Sequence, residues 1–212
     1  MGFFVVLCLS GKKVAEGLIK NSKKVSQKKK LTPAEVRKFK EMIYGYYREH
    51  GRTLPWRLTH NPYHILVSEI MLQQTQVQRV LEKYEPFLDA FPNFPALARA
   101  PLSKILATWQ GLGYNRRAIA LSQISRKVMD DFHGVLPSSV DTLMTFPGIG
   151  HATASAIAAF AFLTPAVFIE TNIRRVYIHC FFRDRDNVRD DEILPLVEMT
   201  LDASNPREWY YG

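Results

Sequence analysis

The chain has 212 residues, 47% of them hydrophobic, so it is no disordered tail and is long enough for one domain, or two small lobes, with a sizeable core. Its two cysteines, Cys8 and Cys180, exclude a four-cysteine metal site, and nothing indicates a secreted disulfide framework. The formal net charge of +8 is concentrated in residues 1–30, where eight lysines and one glutamate give +7, so the remainder carries only +1.

The N-terminal segment, residues 1–31, is predicted to be a basic, disordered arm that is either inert or in nonspecific contact with phosphates. Its apolar run, Phe3 to Leu9, is too short to span a bilayer and lacks the basic start and the cleavage site of a signal peptide. We therefore expect a soluble intracellular monomer in the cytoplasm (nucleoid) or the nucleus, without a membrane partner and without a metal or cofactor within this chain.

Residues 32–212 are predicted to form the folded part, beginning with a helix that Gly51 ends. Thr32 and Glu35 have the spacing of a capping box, and Pro33 occupies the first helical position. Further helices are predicted over residues 63–72, 75–90 and 101–110, and from a glycine-rich break at 111–114 to residue 133. Because no stretch alternates apolar and polar residues over the length of a strand, the predicted fold class is all-α.

One carboxylate, Glu69, lies near the end of the apolar helix predicted over residues 63–72. An unpaired carboxylate there would lose hydration, and burial would raise its pKa. Position alone leaves open whether Glu69 is a solvated or salt-bridged residue or a catalytic acid. Gln73 and Gln74 follow it and can hydrogen-bond base edges, but alone they indicate no function.

Two aromatic residues stand in irregular segments, and the sequence leaves two interpretations open for each. Trp56, between the cations Arg52 and Arg57, is either a packed residue or part of a binding site. Tyr114 follows two glycines and precedes two arginines. It is either an ordinary core tyrosine or an exposed aromatic residue that stacks on bases.

Residues 140–162 are predicted to form a helix-hairpin-helix. Gly148 and Gly150 allow a turn with positive φ and leave backbone N–H groups uncovered at a helix N-terminus, which suits a phosphate oxygen. No lysine or arginine occurs from Asp131 to Ile173, so this hairpin would bind DNA through backbone N–H groups and the helix dipole. It also offers no amine for a Schiff base.

Five motifs, in order RTLPWR (52–57), SEIMLQQTQV (68–77), GLGYNRRA (111–118), FPGIGHATA (146–154) and ETNIRRV (170–176), closely resemble the catalytic domain of MutY-type adenine DNA glycosylases. These belong to the helix-hairpin-helix superfamily that also contains endonuclease III. The resemblance covers residues 32–212. It implies a two-lobed helix-hairpin-helix DNA glycosylase fold and a base excision repair enzyme that hydrolyses the N-glycosidic bond of adenine mispaired with 8-oxoguanine or guanine. The implied partner is double-stranded DNA with a flipped base.

The resemblance also assigns roles to residues. Glu69 matches the general acid that protonates adenine at N7, Glu170 falls where the family has an Asp that stabilises the oxocarbenium-like sugar, and Asn172 supports that carboxylate. Gln74 matches a residue inserted at the gap left by the flipped base, and Tyr114 one that intercalates beside the oxidised guanine. Further DNA contacts are implied for Gln73, Pro147, Gly148, Ile149 and Gly150, and a base pocket for Arg52, Leu54, Trp56, Arg57, Ala152 and Tyr211.

Three positions depart from the family pattern. Glu170 is one methylene longer than the Asp, and the alternative role for an acid at the start of a helix is that of a cap. Ala152 stands where bifunctional relatives carry a Lys, which implies a monofunctional enzyme without AP lyase activity. Tyr211 replaces a Glu or Gln expected to contact adenine. The alternatives are a thymine or uracil mismatch glycosylase, and a catalytically silent DNA lesion-binding module.

The sequence ends at Gly212, in what is predicted to be the start of a helix. Family members continue there into a four-cysteine iron-sulfur loop and often into a domain that reads 8-oxoguanine. The resemblance therefore implies either a chain truncated at its C-terminus or a lineage without these parts. A 4Fe-4S cluster is expected only if the natural protein continues past Gly212.

Overall fold

The computed structural model describes residues 30–212, and within this range every regular element is a helix. This range contains eleven α-helices: α1 Pro33–His50, α2 Pro62–Leu72, α3 Val77–Ala90, α4 Phe94–Arg99, α5 Leu102–Trp109, α6 Arg116–Asp131, α7 Val140–Met144, α8 His151–Phe162, α9 Thr171–Phe181, α10 Asp190–Thr200 and α11 Pro206–Tyr211. A 3-10 turn over Pro55–Arg57 lies between α1 and α2. The predicted all-α fold class is confirmed. The arm predicted over residues 1–31 lies outside the described residues except for its last two.

The helix starts follow their capping residues. At α1 the predicted capping box is present: the Thr32 hydroxyl accepts from the Glu35 N–H (3.3 Å), and the Thr32 N–H donates to the Glu35 carboxylate (2.8 Å). The short helix α4 is absent from the sequence prediction, although Asn93 caps it by accepting from the Ala96 N–H at 2.9 Å. Six residues are too few to show a helical period, so only its cap could have revealed it.

The described chain divides into two compact units. The first comprises residues 30–51, Val167–Asp202 and Glu208–Gly212, and the second comprises Arg52–Ala166 and Ala203–Arg207. This division agrees with the predicted two-lobed fold. Within residues 30–212, no helix combines the length and the apolar character needed to cross a membrane.

The first unit has an aromatic core around Phe39 of α1. Its ring centroid lies 5.4 Å from that of Tyr177, 5.0 Å from that of Phe181 and 5.8 Å from that of Trp209. Leu31, assigned to the arm by the sequence, is buried against the same cluster. Packed structure therefore begins one residue before the predicted boundary.

The second unit is built around α2, which packs against α3, α6 and α8. Seven of the eleven residues of this helix are buried: Tyr63, Ile65, Leu66, Val67, Ser68, Ile70 and Met71. A helix that is apolar on nearly all faces belongs in the middle of a core. The histidine and the glutamate of α2, His64 and Glu69, are only half-buried, in contrast to the seven buried residues.

Candidate active site

Glu69 is the one acidic residue on α2 and lies in its last turn. It is partly buried, whereas its neighbours Ser68 and Ile70 are almost wholly inaccessible. The structure thus places this carboxylate where the sequence predicted it, at the end of a core helix. Its catalytic role stays a prediction.

The two residues predicted to hold opened DNA share an unusual backbone conformation. Gln74 has φ 53° and Tyr114 has φ 47°, both in the left-handed region. Non-glycine residues are uncommon there and are strained by roughly 1–3 kcal/mol each. Tyr114 is 57% exposed, which excludes the alternative of a core tyrosine, and Gln74 is exposed as well. Leu163 combines the same conformation with 50% exposure at a helix C-cap, so the two observations are compatible with a binding role but do not assign it.

One guanidinium joins the two segments that carry Gln74 and Tyr114. Arg117, in the first turn of α6, is only 5% exposed. It donates to five backbone carbonyls: from Nη1 to Ile70 (3.2 Å), Met71 (2.8 Å) and Gln73, and from Nη2 to Leu112 (2.9 Å) and Gly113 (3.2 Å). Burial lowers the pKa of Arg117, but an arginine remains protonated. The sequence showed this residue only as one of two cations after Tyr114.

The predicted hairpin consists of α7, a turn over residues 145–150, and α8. No side chain caps the N-terminus of α8, so its first N–H groups remain open to an acceptor such as phosphate. Gly148 and Gly150 are exposed, Pro147 is half-buried, and Ile149 is buried in the core of the unit. The hairpin can thus offer DNA its backbone at the glycines, while Ile149 anchors the turn.

The two hairpin glycines are not equivalent, which corrects the sequence prediction. Gly148 has φ 76°, and a Cβ there would lie 3.3 Å from the Cβ of Ala120. Gly150 is extended (φ −91°, ψ 175°), and a Cβ there would meet nothing within 4 Å. Backbone geometry therefore favours glycine over other residues at position 148 only.

We expect Gly148→Ala to lower the free energy of unfolding by about 1–2 kcal/mol, because an L-residue is strained in the left-handed region. Contact with Ala120 adds to this loss. Gly150→Ala should be close to neutral for stability, because its backbone is extended and its surroundings are open. Urea unfolding of the two variants side by side measures the difference, and equal losses would contradict this account of the turn.

Gln73, predicted to contact DNA, is engaged within the protein. Its side-chain amide donates to the Gly148 carbonyl (3.1 Å) and to the Thr153 hydroxyl (3.3 Å). It thereby ties the end of α2 to the hairpin. An adjacent groove of about 530 Å³ is lined by residues from α2, α6 and the hairpin turn, among them Gln73, Arg116 and Gly148. In this structure the Gln73 side chain connects α2 to the hairpin by hydrogen bonds, and its contact with DNA stays a prediction.

The residues assigned to a base pocket are spread over several environments. Leu54 and Trp56 are buried in the core, where the Trp56 ring meets that of Tyr84 at 5.3 Å, so the packed-tryptophan interpretation is confirmed. Arg52 is exposed and Arg57 half-buried. Ala152 is half-buried in the first turn of α8, and Tyr211 is half-buried in the first unit. Their contact with a base stays a prediction.

A second buried arginine, which the sequence analysis did not identify, holds the 52–60 link. Arg207 donates to the carbonyls of Arg57 (2.8 Å), Thr59 and Phe160 (3.2 Å), and lies 2.6 Å from Nδ1 of His60. The carbonyls of Arg57 and Thr59 precede it by 150 and 148 residues in the chain. Such a distant pairing leaves no local signal in the sequence.

In the first unit, Glu170 is the N-cap of α9. Its Oε1 accepts from the N–H groups of Asn172 (3.1 Å) and Ile173 (3.3 Å), and the Asn172 side-chain amide donates to Oε2 at 3.5 Å. The cap interpretation is therefore correct, and Asn172 contacts the carboxylate as the resemblance implies. Three N–H groups fix this anion at a helix N-terminus, where negative charge is favoured.

The residues present do not fit a four-cysteine iron-sulfur cluster. The sequence has two cysteines, and of the described residues Cys180 is a buried free thiol whose pKa burial raises to about 11. Residues 30–212 also hold no group of three or more His, Cys, Asp or Glu side chains arranged to bind a metal ion.

Comparison with known proteins gives a consistent relationship. Residues 67–194, more than half of the chain, match the family described as HhH-GPD superfamily base excision DNA repair protein. The adenine DNA glycosylase of Buchnera aphidicola subsp. Baizongia pistaciae (strain Bp) is 38% identical over 169 residues, which cover 79% of this chain and 47% of that protein. The adenine DNA glycosylase of Homo sapiens is 37% identical over 152 residues, 68% of this chain and 28% of that protein. The chain thus spans less than half the length of these relatives.

Solved structures show the same fold. A thermostable thymine-DNA glycosylase superposes with a TM-score of 0.75 and 26% identity over 83% of this chain and 82% of that one. Endonuclease III in a trapped covalent complex with DNA superposes with a TM-score of 0.70 and 19% identity, over 86% and 87% of the two chains. The second likeness supports the fold alone.

Proposed function

Because this chain belongs to the HhH-GPD superfamily of base excision DNA repair proteins, we propose that it is a DNA glycosylase that hydrolyses the N-glycosidic bond of adenine mispaired with 8-oxoguanine or guanine. The predicted relationship to this superfamily is confirmed. One observation carries the proposal: the second unit holds a partly buried carboxylate, Glu69, together with two exposed, strained residues, Gln74 and Tyr114. The relatives named adenine DNA glycosylase support adenine as the substrate.

Breaking an N-glycosidic bond requires a proton on the departing base. Glu69 supplies it as a general acid, so that adenine leaves as a neutral molecule, a contribution of roughly 10²- to 10⁴-fold in rate. The packing of α2 holds the backbone of this acid in place. Positional precision matters, because proton transfer requires hydrogen-bond distance to the base.

The target atom lies inside the duplex, so the nucleotide has to be extruded, at a cost of roughly a few kcal/mol. Gln74 fills the space that the base leaves, and Tyr114 stacks beside the opposite base. Gly148, Gly150 and the open N-terminus of α8 bind the backbone phosphates.

The positive charge that develops on the sugar requires a negative partner. Glu170 is assigned this role, since its carboxylate is fixed by Asn172 and by backbone N–H groups and so needs little reorganisation as charge develops. Water is the nucleophile that completes the hydrolysis.

We expect Ala152→Lys to remain without strand-cleaving activity. A Schiff base requires an amine with the correct geometry and a lowered pKa, and a Lys placed in the first turn of α8 supplies neither by itself. The measurement is borohydride trapping with an abasic duplex, with unmodified protein as the control. A trapped covalent adduct in the variant would show that position 152 alone decides between the two chemistries.

A thymine mismatch glycosylase is the second candidate. The thermostable thymine-DNA glycosylase aligns over most of both chains at 26% identity, and Tyr211 replaces the residue expected to contact adenine. Thymine leaves through different atoms from adenine, so the choice depends on the hydrogen-bonding edge that the pocket reads. The same fold and carboxylates serve either base.

Single-turnover base release tests the proposal directly. The substrates are duplexes carrying A opposite 8-oxoguanine, A opposite G, T opposite G and U opposite G, each analysed with and without alkali. Alkali-dependent product from the A duplexes alone supports a monofunctional adenine glycosylase. Product from T or U duplexes alone would keep the mechanism and replace the substrate, and tight binding without product would identify a catalytically silent lesion-binding module.

A further inference from the structure

Two separate segments of the second unit carry the strained residues, and neither segment is regular structure. Gln74 follows the end of α2, whereas Tyr114 precedes the start of α6. Backbone turn hydrogen bonds, such as Thr75 N–H to the Leu72 carbonyl and Leu112 N–H to the Trp109 carbonyl (both 3.2 Å), shape each segment locally, and α2 packs against α6. A side chain that hydrogen-bonds both segments adds a direct link between them.

Arg117 is the side chain that reaches both segments. Nη1 donates toward the α2 side, at Met71 and Gln73, and Nη2 donates toward the Tyr114 side, at Leu112 and Gly113. The carbonyls at the end of a helix lack intrahelical donors and carry partial negative charge. The guanidinium thus replaces missing donors at the end of α2 with the same planar group that fixes the second segment.

The cost of burying this cation is met by dipoles rather than by a carboxylate. No ion pair found in residues 30–212 includes Arg117, and its Nε is buried without a hydrogen-bond partner. Its guanidinium carbon also lies 5.5 Å from the Trp109 ring centroid and 5.6 Å from that of Tyr114. A buried charge without a counterion is unfavourable unless hydrogen bonds compensate for it, and here the backbone carbonyls on both sides provide that compensation.

We propose that Arg117 is a positioning residue that sets the separation and orientation of Gln74 and Tyr114, and, through the last turn of α2, the placement of Glu69. DNA opening and base protonation then act on the same nucleotide. This inference rests on the proposed function for its consequence in DNA, but its structural part holds for the free protein. Lysine is not equivalent at this position, because a single ammonium lacks the planar fork that reaches two sets of carbonyls.

The structural part is tested by hydrogen exchange in the free protein. Arg117→Lys is compared with Arg126→Lys, a matched control on α6 whose Nε donates to a single carbonyl, that of Ala98 (3.3 Å). We expect amide exchange in residues 70–76 and 110–116 to accelerate together by about tenfold or more in Arg117→Lys, with the other helices of the unit and the control unchanged. Acceleration in only one segment, in neither, or uniformly across the unit would overturn the inference.

The functional part is tested in a Glu69→Gln background, where base release is expected to be slow enough for DNA opening to be observed by itself. A duplex with 2-aminopurine at the target position opposite 8-oxoguanine reports unstacking by a rise in fluorescence. We expect Arg117→Lys to reduce this rise and, with Glu69 restored, to slow single-turnover release by about tenfold while affinity for the duplex changes much less. An undiminished rise in Arg117→Lys would overturn the inference. If unmodified protein excises no base at all, the proposed function fails, and the exchange experiment still decides the role of Arg117.

Discussion

Glu69→Gln should reduce single-turnover base release from a duplex with adenine opposite 8-oxoguanine by roughly 10²- to 10⁴-fold, the range for loss of a general acid. Glutamine keeps the size and hydrogen-bonding capacity of the side chain but cannot donate the proton that adenine needs. DNA affinity should change little, because the binding surface is formed by other residues. The measurement combines release rates with equilibrium binding to the same duplex.

The matched control is Glu85→Gln, an exposed position on α3 with the same chemical change. We expect it to match unmodified protein in both assays. A Glu69→Gln variant that releases base at the unmodified rate would remove Glu69 from the mechanism.

Tyr114→Ala should reduce base release by roughly 5- to 150-fold, which corresponds to the loss of about 1–3 kcal/mol of stacking on a base. Tyr114→Phe keeps the ring and should remain close to unmodified protein. Single-turnover rates for the three proteins are the measurement. Equal losses in the Phe and Ala variants would show that the hydroxyl matters rather than the ring.

The strained backbone at position 114 sets function against stability: a residue that relieves the strain stabilises the fold but lacks the ring needed for stacking. Tyr114→Gly should unfold at a higher urea concentration than Tyr114→Ala, because its free energy of unfolding is expected to be larger by up to about 1 kcal/mol. Glycine adopts φ 47° without strain, although its greater freedom in the unfolded chain offsets part of this gain. Both variants should be equally impaired in base release. A Gly variant no more stable than the Ala variant would mean that the surrounding loop relaxes the strain.

Local signals predicted much of this fold. The capping box at Thr32 and the helix start at Glu170 depend on residues within three positions of each other, and both are observed. The helix predicted over residues 63–72 is observed as Pro62–Leu72, and Asn61 caps its start by accepting from the Tyr63 N–H. Such features are decided by neighbours in the chain, so the sequence displays them directly.

The candidate site was only partly predictable, because burial depends on distant contacts. An arginine is expected at the surface, yet Arg117 is buried by carbonyls 44 to 47 residues earlier in the chain. The resemblance implies a DNA contact for Gln73, and only the folded hairpin shows that its amide donates to the Gly148 carbonyl. The conformation of Gln74 and Tyr114 also had no signature, since neither residue type favours positive φ.

Arg207 has a consequence for the order in which the protein is made. The carbonyls of Arg57 and Thr59 leave the ribosome about 150 residues before the guanidinium that satisfies them. At roughly 5–20 residues per second, synthesis leaves this link without its donor for roughly 8–30 s. The second unit therefore completes its fold only when its last part, Ala203–Arg207, has left the ribosome. Until then the carbonyls of Arg57 and Thr59 lack the hydrogen bonds that Arg207 supplies, and the 52–60 link is most accessible to a chaperone or a protease.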